Sequence, residues 1–301
     1  MQAKQISRTA EYMAFFRALE TARRPSERLV ADPFAKSFLR PSLRWAVSLS
    51  TFPWLGLLVE KYADLRLPGA RTSAIARTRL IDEACNQALR EKIGQIAILG
   101  AGFDCRACRL PQTGSATIFE VDQPEMLAFK QARLKQALPA IPENIRFASI
   151  DFNLQSLQEG LAEAGFDHST PALFLWEGVT NYLSEKAVEA VLRYVGGCAP
   201  GSRIVFTYVH RGVLDGSVPF DGGPKIVRDV AEIGEAWTFG LDPAELSKFL
   251  GKLSLQLDYD LGAAEYRLQF YGPRARTMRG YDFYHVAMAH SIRADAPFHR
   301  P

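Results

Sequence analysis

Gln95-Ile-Ala-Ile-Leu-Gly-Ala-Gly-Phe-Asp104 is the stretch that decides the fold. A short apolar run ending in glycine is the pattern of a strand buried on both faces of a parallel sheet. Gly100 and Gly102 stand where the chain must turn tightly into a helix, and they let backbone come close to a ligand. Ligands of open α/β sheets settle at the carboxyl ends of the strands, so this loop is placed where a nucleotide-like cofactor would lie.

Working outward, similar apolar runs occur at Ala116 to Val121, Ile145 to Ile150, Ala172 to Trp176 and Arg203 to Val209. Most of the gaps between them are long enough for crossover helices. Pro124 suits a first helical turn, and Met126, Leu127, Lys130, Leu134 and Leu138 continue at helical spacing. Ser184 is a good N-cap for a helix whose Ala187, Val188, Val191, Leu192 and Val195 share one face. Before Gln95 the pattern is helical: Thr9 to Arg23, a short piece from Pro33, the apolar run Trp45 to Val59, and Arg71 to Lys92. After Val209 the rhythm breaks into a Gly- and Pro-containing stretch, a helical stretch, and a helix opened by Asp242-Pro243. Leu255 to Leu261 and Tyr281 to Ala289 are late strand candidates, joined by a long loop, that pair antiparallel at the sheet edge. The expectation is a doubly wound, mostly parallel, seven-stranded α/β sheet in one domain. Residues 1–93 form a helical cap, 94–210 a Rossmann-like cofactor-binding core, 211–254 a helical insertion and 255–301 the edge strands.

The chain has 301 residues, 48% of them hydrophobic, which supplies a sizeable core. Its 36 Lys and Arg against 33 Asp and Glu leave a net charge of +3, too small to demand a nucleic-acid or anionic-membrane partner. Cys85, Cys105, Cys108 and Cys198 are too sparse for a disulfide scaffold and fit a reducing compartment. The polar start, Met1 to Arg8, lacks the apolar stretch of a secretory signal, so a cytoplasmic location is expected. Trp45 to Val59 is shorter than a spanning helix and is interrupted by Pro53, so it reads as a buried or lid helix pair without membrane contact. Cys105-Arg-Ala-Cys108 has a redox or zinc spacing but no second such pair, and no metal is expected. The five histidines, His168, His210, His285, His290 and His299, form no metalloprotease motif.

The ends of four successive strands carry a distinctive set: Gly100-x-Gly102, then Glu120-Val-Asp122, then Asp151-Phe152, then Glu177-Gly178. A dinucleotide loop would have a third glycine where Cys105 stands, and Asp104 puts a carboxylate where a pyrophosphate would arrive. Both departures favour a cofactor without phosphates, such as the cationic sulfonium S-adenosylmethionine. A carboxylate about 20 residues after the glycines can hold the ribose hydroxyls. Glu120 and Asp122 point to the same side of an ideal strand, so spacing does not choose between them. Asp151 with Phe152 suits an adenine site. Acidic residues also end strands simply as turn formers. Arg77 is in line with Ile81, Ala84 and Ala88, an inward guanidinium that needs either a structural partner or a ligand carboxylate.

These residues, with Thr9-Ala-Glu-Tyr, Arg17-Ala-Leu-Glu, Asp32-Pro-Phe-Ala, Ala76-Arg-Thr78 and Trp176-Glu-Gly-Val-Thr-Asn-Tyr-Leu183, resemble the leucine carboxyl methyltransferase family. The likeness covers most of the chain and is to the bacterial branch of S-adenosyl-L-methionine-dependent methyltransferases. One departure is Cys105, where members usually carry threonine. The resemblance implies the class I methyltransferase sheet and S-adenosyl-L-methionine as cofactor. It implies that Arg77 grips the methionine carboxylate, Gly100 and Gly102 line the methionine part, Asp122 holds the ribose, Asp151 and Phe152 frame the adenine, and Glu177 works on the cofactor side.

Methyl transfer from a sulfonium depends mostly on alignment and exclusion of water. The acceptor is expected to be a carboxylate or hydroxyl of a small molecule, with a protein C-terminal carboxylate also open. His210, as a general base, and Tyr182 and Tyr208, as pocket walls, are the candidates for the acceptor side. The N-terminal helices and the insertion after Val209 are expected to form a lid over the strand ends. The competing readings are an NAD(P)-dependent oxidoreductase on the same sheet and a protein that binds S-adenosylmethionine without transferring its methyl group. Oligomeric state is left open.

Overall fold

The computed structural model describes residues 7–152 and 155–292; the first six residues and His299 lie outside them. The chain opens with four helices: α1 (Arg8–Ala22), α2 (Pro41–Leu49), α3 (Pro53–Arg66) and α4 (Ala70–Arg90). Ser7 caps α1 by accepting the Ala10 N–H at 3.1 Å. The sheet then begins with β1 (Gln95–Leu99), followed by the one-turn α5 (Arg106–Arg109), β2 (Thr117–Asp122), α6 (Pro124–Ala137), β3 (Ile145–Ser149), α7 (Leu157–Glu163), β4 (Ala172–Trp176), α8 (Glu185–Gly196) and β5 (Arg203–Val209). Then come α9 (Arg211–Asp215), α10 (Gly223–Glu232), α11 (Pro243–Gly251), β6 (Leu255–Gly262), α12 (Ala263–Tyr271) and β7 (Tyr284–Ser291).

The seven strands run β3-β2-β1-β4-β5-β7-β6, all parallel except β7, which is antiparallel to both neighbours. Strand alternation splits the core into two layers. Ile96, Ile98, Ile118, Leu173, Leu175 and Val205 pack under α1 and α4. Ala97, Leu99, Phe119, Phe174, Trp176 and Phe206 pack under α7, α8 and α11. Order reverses between β1 and β4, so the rim beside Gly100 is the switch point at which ligands of such sheets bind.

Two expectations are corrected. The long loop between the last strands contains α12, where Glu265 Oε2 accepts the Gly262 N–H at 2.7 Å and Tyr266 and Arg267 are buried, a mixed apolar and charged face that leaves no simple apolar stripe in the sequence. The run Trp45 to Val59 does form a helix pair, but it is not buried: Trp45, Phe52, Trp54, Leu57 and Leu58 are exposed. A run that is apolar all round does not dictate which side finds a partner. Here the inward side of α3 is set by Gly56, where a Cβ would meet the Ser50 carbonyl oxygen at 2.8 Å, by Ala63, and by Glu60 and Asp64, which pair with Arg71. No helix among the described residues is long and apolar enough to cross a membrane.

Candidate active site

A cleft of about 1040 Å³ opens at the carboxyl ends of β1, β2 and β4. Its floor is Gly100 to Asp104, Asp122, Asp151, Phe152 and Glu177 to Val179; α1, Arg77 of α4 and residues 232–237 close over it. All seven residues expected on the cofactor side, Arg77, Gly100, Gly102, Asp122, Asp151, Phe152 and Glu177, line this one cavity. α1 and the end of α10 supply part of the expected lid, whereas α11 instead packs Leu246 and Leu250 into the sheet's second core layer.

The glycine loop is shaped by the protein as much as for a ligand. Gly100 has φ +67°, and a Cβ there would lie 2.3 Å from Val179 Cγ2, so the space its missing side chain leaves is filled by Val179. Gly102 has φ +37° with nothing nearer than 3.8 Å to a Cβ, the roomier of the two positions. The Gly102 N–H donates to Asp122 Oδ2 at 2.6 Å, and Gln123 N–H donates to Oδ1 at 2.7 Å. Asp104 Oδ1 accepts the Arg106 N–H at 2.7 Å at the start of α5, and its other oxygen meets the Arg106 guanidinium. The Gly102 and Arg106 N–H groups, which a pyrophosphate would need, are thus already taken by carboxylates, and a dinucleotide would be opposed by their charge. A cationic sulfonium and its ribose are compatible with the same wall.

Behind the floor lies a lattice of buried ions. Glu177 sits between Arg77 Nε at 2.8 Å and Arg106 Nη1 at 2.9 Å. Arg106 also reaches Asp82 at 2.7 Å, which Arg109 engages at 2.6 Å, while Arg17 pairs with Asp32 at 2.8 Å and donates to the Phe103 carbonyl oxygen. Burial pushes the Glu177 pKa up, but Arg106 and Arg77 outweigh it and leave the carboxyl below its ordinary value. The same contest, won chiefly by Arg106, brings Asp104 down to about 2. Asp122 ends the other way: burial raises its pKa against the two N–H donors. Arg77, favoured in its charged form by Glu177 despite burial, lies 4.8 Å from the Tyr284 ring centroid and contacts Met13 Sδ at 3.6 Å. With five N–H donors on a guanidinium and two engaged by Glu177 and Met13, Arg77 retains donors for a carboxylate in the cleft. The structural partner of this inward arginine is therefore Glu177, and the guanidinium still has donors to spare on the cleft side.

Glu120, the neighbour of Asp122 left undecided by strand geometry, is fully buried and paired with fully buried Lys130 at 2.9 Å. Lys130 Nζ also donates to the Ala101 carbonyl oxygen at 3.3 Å, which braces the glycine loop from below. Glu120 does not line the cleft; Asp122 does.

On the acceptor side only Tyr182 falls where it was expected, in the cleft wall. Tyr208 and His210 do not line it and are corrected. Tyr208 belongs to the opposite core layer, where its hydroxyl donates to Asp260 at 2.6 Å and its ring stacks on His285. His210 caps α9 by accepting the Gly212 N–H at 2.9 Å, with Phe220 against its ring. Trp237 and Tyr284 line the cleft beside Tyr182, and no local sequence signal singles them out. Tyr182 Oη and Trp237 Nε1 are both buried in this wall and interact with each other, with Thr9 and Asn181 beside the tyrosine hydroxyl. The thiols of Cys105 and Cys108 are pushed up by burial, that of Cys108 to about 12, so neither is a thiolate near neutral pH.

The same architecture is seen in solved structures: a candidate methyltransferase from Thermobifida fusca superimposes with a TM-score of 0.59 at 17% identity, covering 93% of this chain and 94% of that one. A DUF574 family protein from Streptomyces avermitilis gives 0.55 at 14% identity, covering 92% and 96%. In sequence, a candidate S-adenosyl-L-methionine-dependent methyltransferase of Streptomyces coelicolor is 30% identical over 245 residues, 80% of this chain and 83% of the relative. One from Mycolicibacterium smegmatis is 31% identical over 263 residues, covering 83% and 80%. Sheet, cleft and relatives together define an S-adenosyl-L-methionine-dependent methyltransferase. The chain belongs to the leucine carboxyl methyltransferase family, whose sequence model matches residues 10–196.

Proposed function

We propose that this enzyme transfers the methyl group to an oxygen of a small-molecule carboxylate, giving a methyl ester. The supporting observation is that the cleft wall carries the hydroxyl- and indole-bearing side chains of Tyr182 and Trp237 and no histidine. Burial raises the Tyr182 pKa, which keeps its hydroxyl a donor and not a base. No histidine is among the residues that line the cleft. A carboxylate acceptor is already anionic and needs no general base, whereas a hydroxyl acceptor would.

When bound, S-adenosyl-L-methionine supplies an electrophilic methyl group with a neutral thioether as leaving group. For this chain's part, Arg77 offers its remaining N–H donors to the methionine carboxylate, and Glu177 fixes the guanidinium through Nε. Gly100 and Gly102 shape the methionine passage, Asp122 takes the ribose hydroxyls, and Asp151 and Phe152 border the adenine. Tyr182 and Trp237 hold the acceptor carboxylate and α1 excludes water, an alignment effect of up to about 7 to 11 kcal/mol. The free thiols Cys85, Cys105, Cys108 and Cys198 suit a reducing compartment, and we place the reaction in the cytoplasm.

The test is methyl transfer from methyl-labelled S-adenosyl-L-methionine into a small-molecule fraction and, separately, a protein fraction. Label released as methanol by mild alkali is expected from the small molecules; a base-stable label would point to a hydroxyl acceptor, and label in the protein fraction to a C-terminal carboxylate. Titration calorimetry with S-adenosyl-L-methionine, its demethylated product and NAD distinguishes an inactive preparation from a misassigned acceptor. Tight cofactor binding with no transfer to any acceptor would instead support the non-catalytic reading.

A further inference from the structure

We propose that the outer face of α2 and α3 is a docking surface for an anionic lipid bilayer, with α3 lying in the headgroup plane. Among the described residues ten large apolar side chains are exposed, and seven of them fall between residues 45 and 65. On α3, Trp54, Leu58, Tyr62 and Leu65 follow one another at spacings of four, four and three, with Leu57 beside Leu58, which is a single stripe along a helix. Each of the five is 58–77% exposed. The largest apolar residues of α3 face outward, while its inward side carries Gly56, Val59, Ala63 and the ion-paired Glu60.

Charge selects the occupant. The two acidic residues of α3 are both engaged by Arg71, Glu60 at 3.4 Å and the partly exposed Asp64 at 2.7 Å. Arg44, Lys61 and Arg66 are exposed and make no ion pair with a described residue. An apolar stripe with aromatic residues and unpaired cations beside it is the composition of an interfacial helix on anionic lipid. Trp45, Trp54 and Tyr62 have the amphipathic rings that settle at headgroup depth. With 14 residues α3 is too short to span, so it lies along the surface. A second copy fits less well, because a two-fold contact would bring the same three cations of both copies onto one interface. Leu65, Arg66 and Leu67 also line the cleft, so the docking face and the cleft mouth share an edge.

The experiment is flotation of the full chain with vesicles of phosphatidylcholine, alone or with about one-third phosphatidylglycerol, at low salt. Binding about tenfold stronger to the anionic vesicles is expected, with a blue shift of tryptophan emission that Trp45→Phe/Trp54→Phe removes. Leu57→Ser/Leu58→Ser should weaken binding by about tenfold or more without lowering the melting temperature, since both side chains are already in water. Arg44→Glu/Lys61→Glu should erase the preference for anionic lipid. Absence of flotation with either vesicle, binding indifferent to headgroup charge, or a dimer dissolved by the serine pair without vesicle binding would each overturn the proposal. None of these readings depends on turnover, so failure here leaves the acceptor assignment untouched.

Discussion

Replacing Asp122 with asparagine isolates the interaction on which the cofactor floor depends. Asp122 accepts two backbone N–H groups, from Gly102 at 2.6 Å and Gln123 at 2.7 Å, through different oxygens. Asparagine has one carbonyl oxygen and one amide NH2, so in either orientation a donor confronts one of those N–H groups. Hydrogen bonds to a charged acceptor contribute about 1.5 to 3 kcal/mol each. Loss of one such bond from a ribose hydroxyl, which meets a donor in place of an anion, should weaken S-adenosyl-L-methionine roughly 10- to 150-fold. Calorimetry with the cofactor and its demethylated product measures this directly. The melting temperature of the free variant should fall as well, because one of the two backbone N–H groups is left facing a donor, with part of that loss offset by removal of a charge that burial opposes. Acidity gives a second arm. With its pKa raised, Asp122 protonates above the ordinary aspartate range, so wild-type affinity falls as the pH drops through that value while the variant's stays flat. On folding the sign is opposite: the gain from this group is complete below the unfolded pKa and is lost as pH rises through the folded one. Binding by Asp122→Asn within twofold of wild type, or equal pH slopes for the two proteins, would refute the ribose assignment.

Lys130→Met should destabilise the fold by about 3 to 5 kcal/mol in urea titration, because it strands Glu120 as a buried unpaired charge. Adding Glu120→Leu should recover most of that loss, and a single-variant cost below about 1 kcal/mol would show that the pair is not sealed from water. Gly100→Ala should cost about 2 to 4 kcal/mol, from a left-handed φ and from overlap with Val179. Val179→Ala in the same chain should return the overlap share, and strictly additive effects in the double variant would argue against that contact.

What the sequence made legible was whatever local periodicity and strand ends encode. The strands of the parallel core fall within a residue or so of their expected bounds, and every expected cofactor residue reaches the one cleft. What stayed hidden depends on which side an element turns, and here the residues held more than was drawn from them. Lys130 occupies the same helical face as Leu127 and Leu134, and a lysine on an apolar face requires a buried anion. Glu120 shares a strand face with Ile118, so the same rule requires a buried cation. Each requirement names the other residue, which separates Glu120 from Asp122 on physical grounds alone. The acceptor side fails for the complementary reason. Tyr208 stands at a strand end, but alternation puts it in the layer of Ile204 and Phe206, away from the layer of Val205 and Val209 that packs beneath α1 and α4. Its hydroxyl accordingly finds Asp260 of β6 and not the cleft. Trp237 and Tyr284 get there from a connection and an antiparallel strand far along the chain, and only the assembled topology brings them to Arg77 and Tyr182. Cofactor residues close to their own strand ends can thus be read from a chain, whereas an acceptor pocket built by distant segments is fixed only by the packing that unites them.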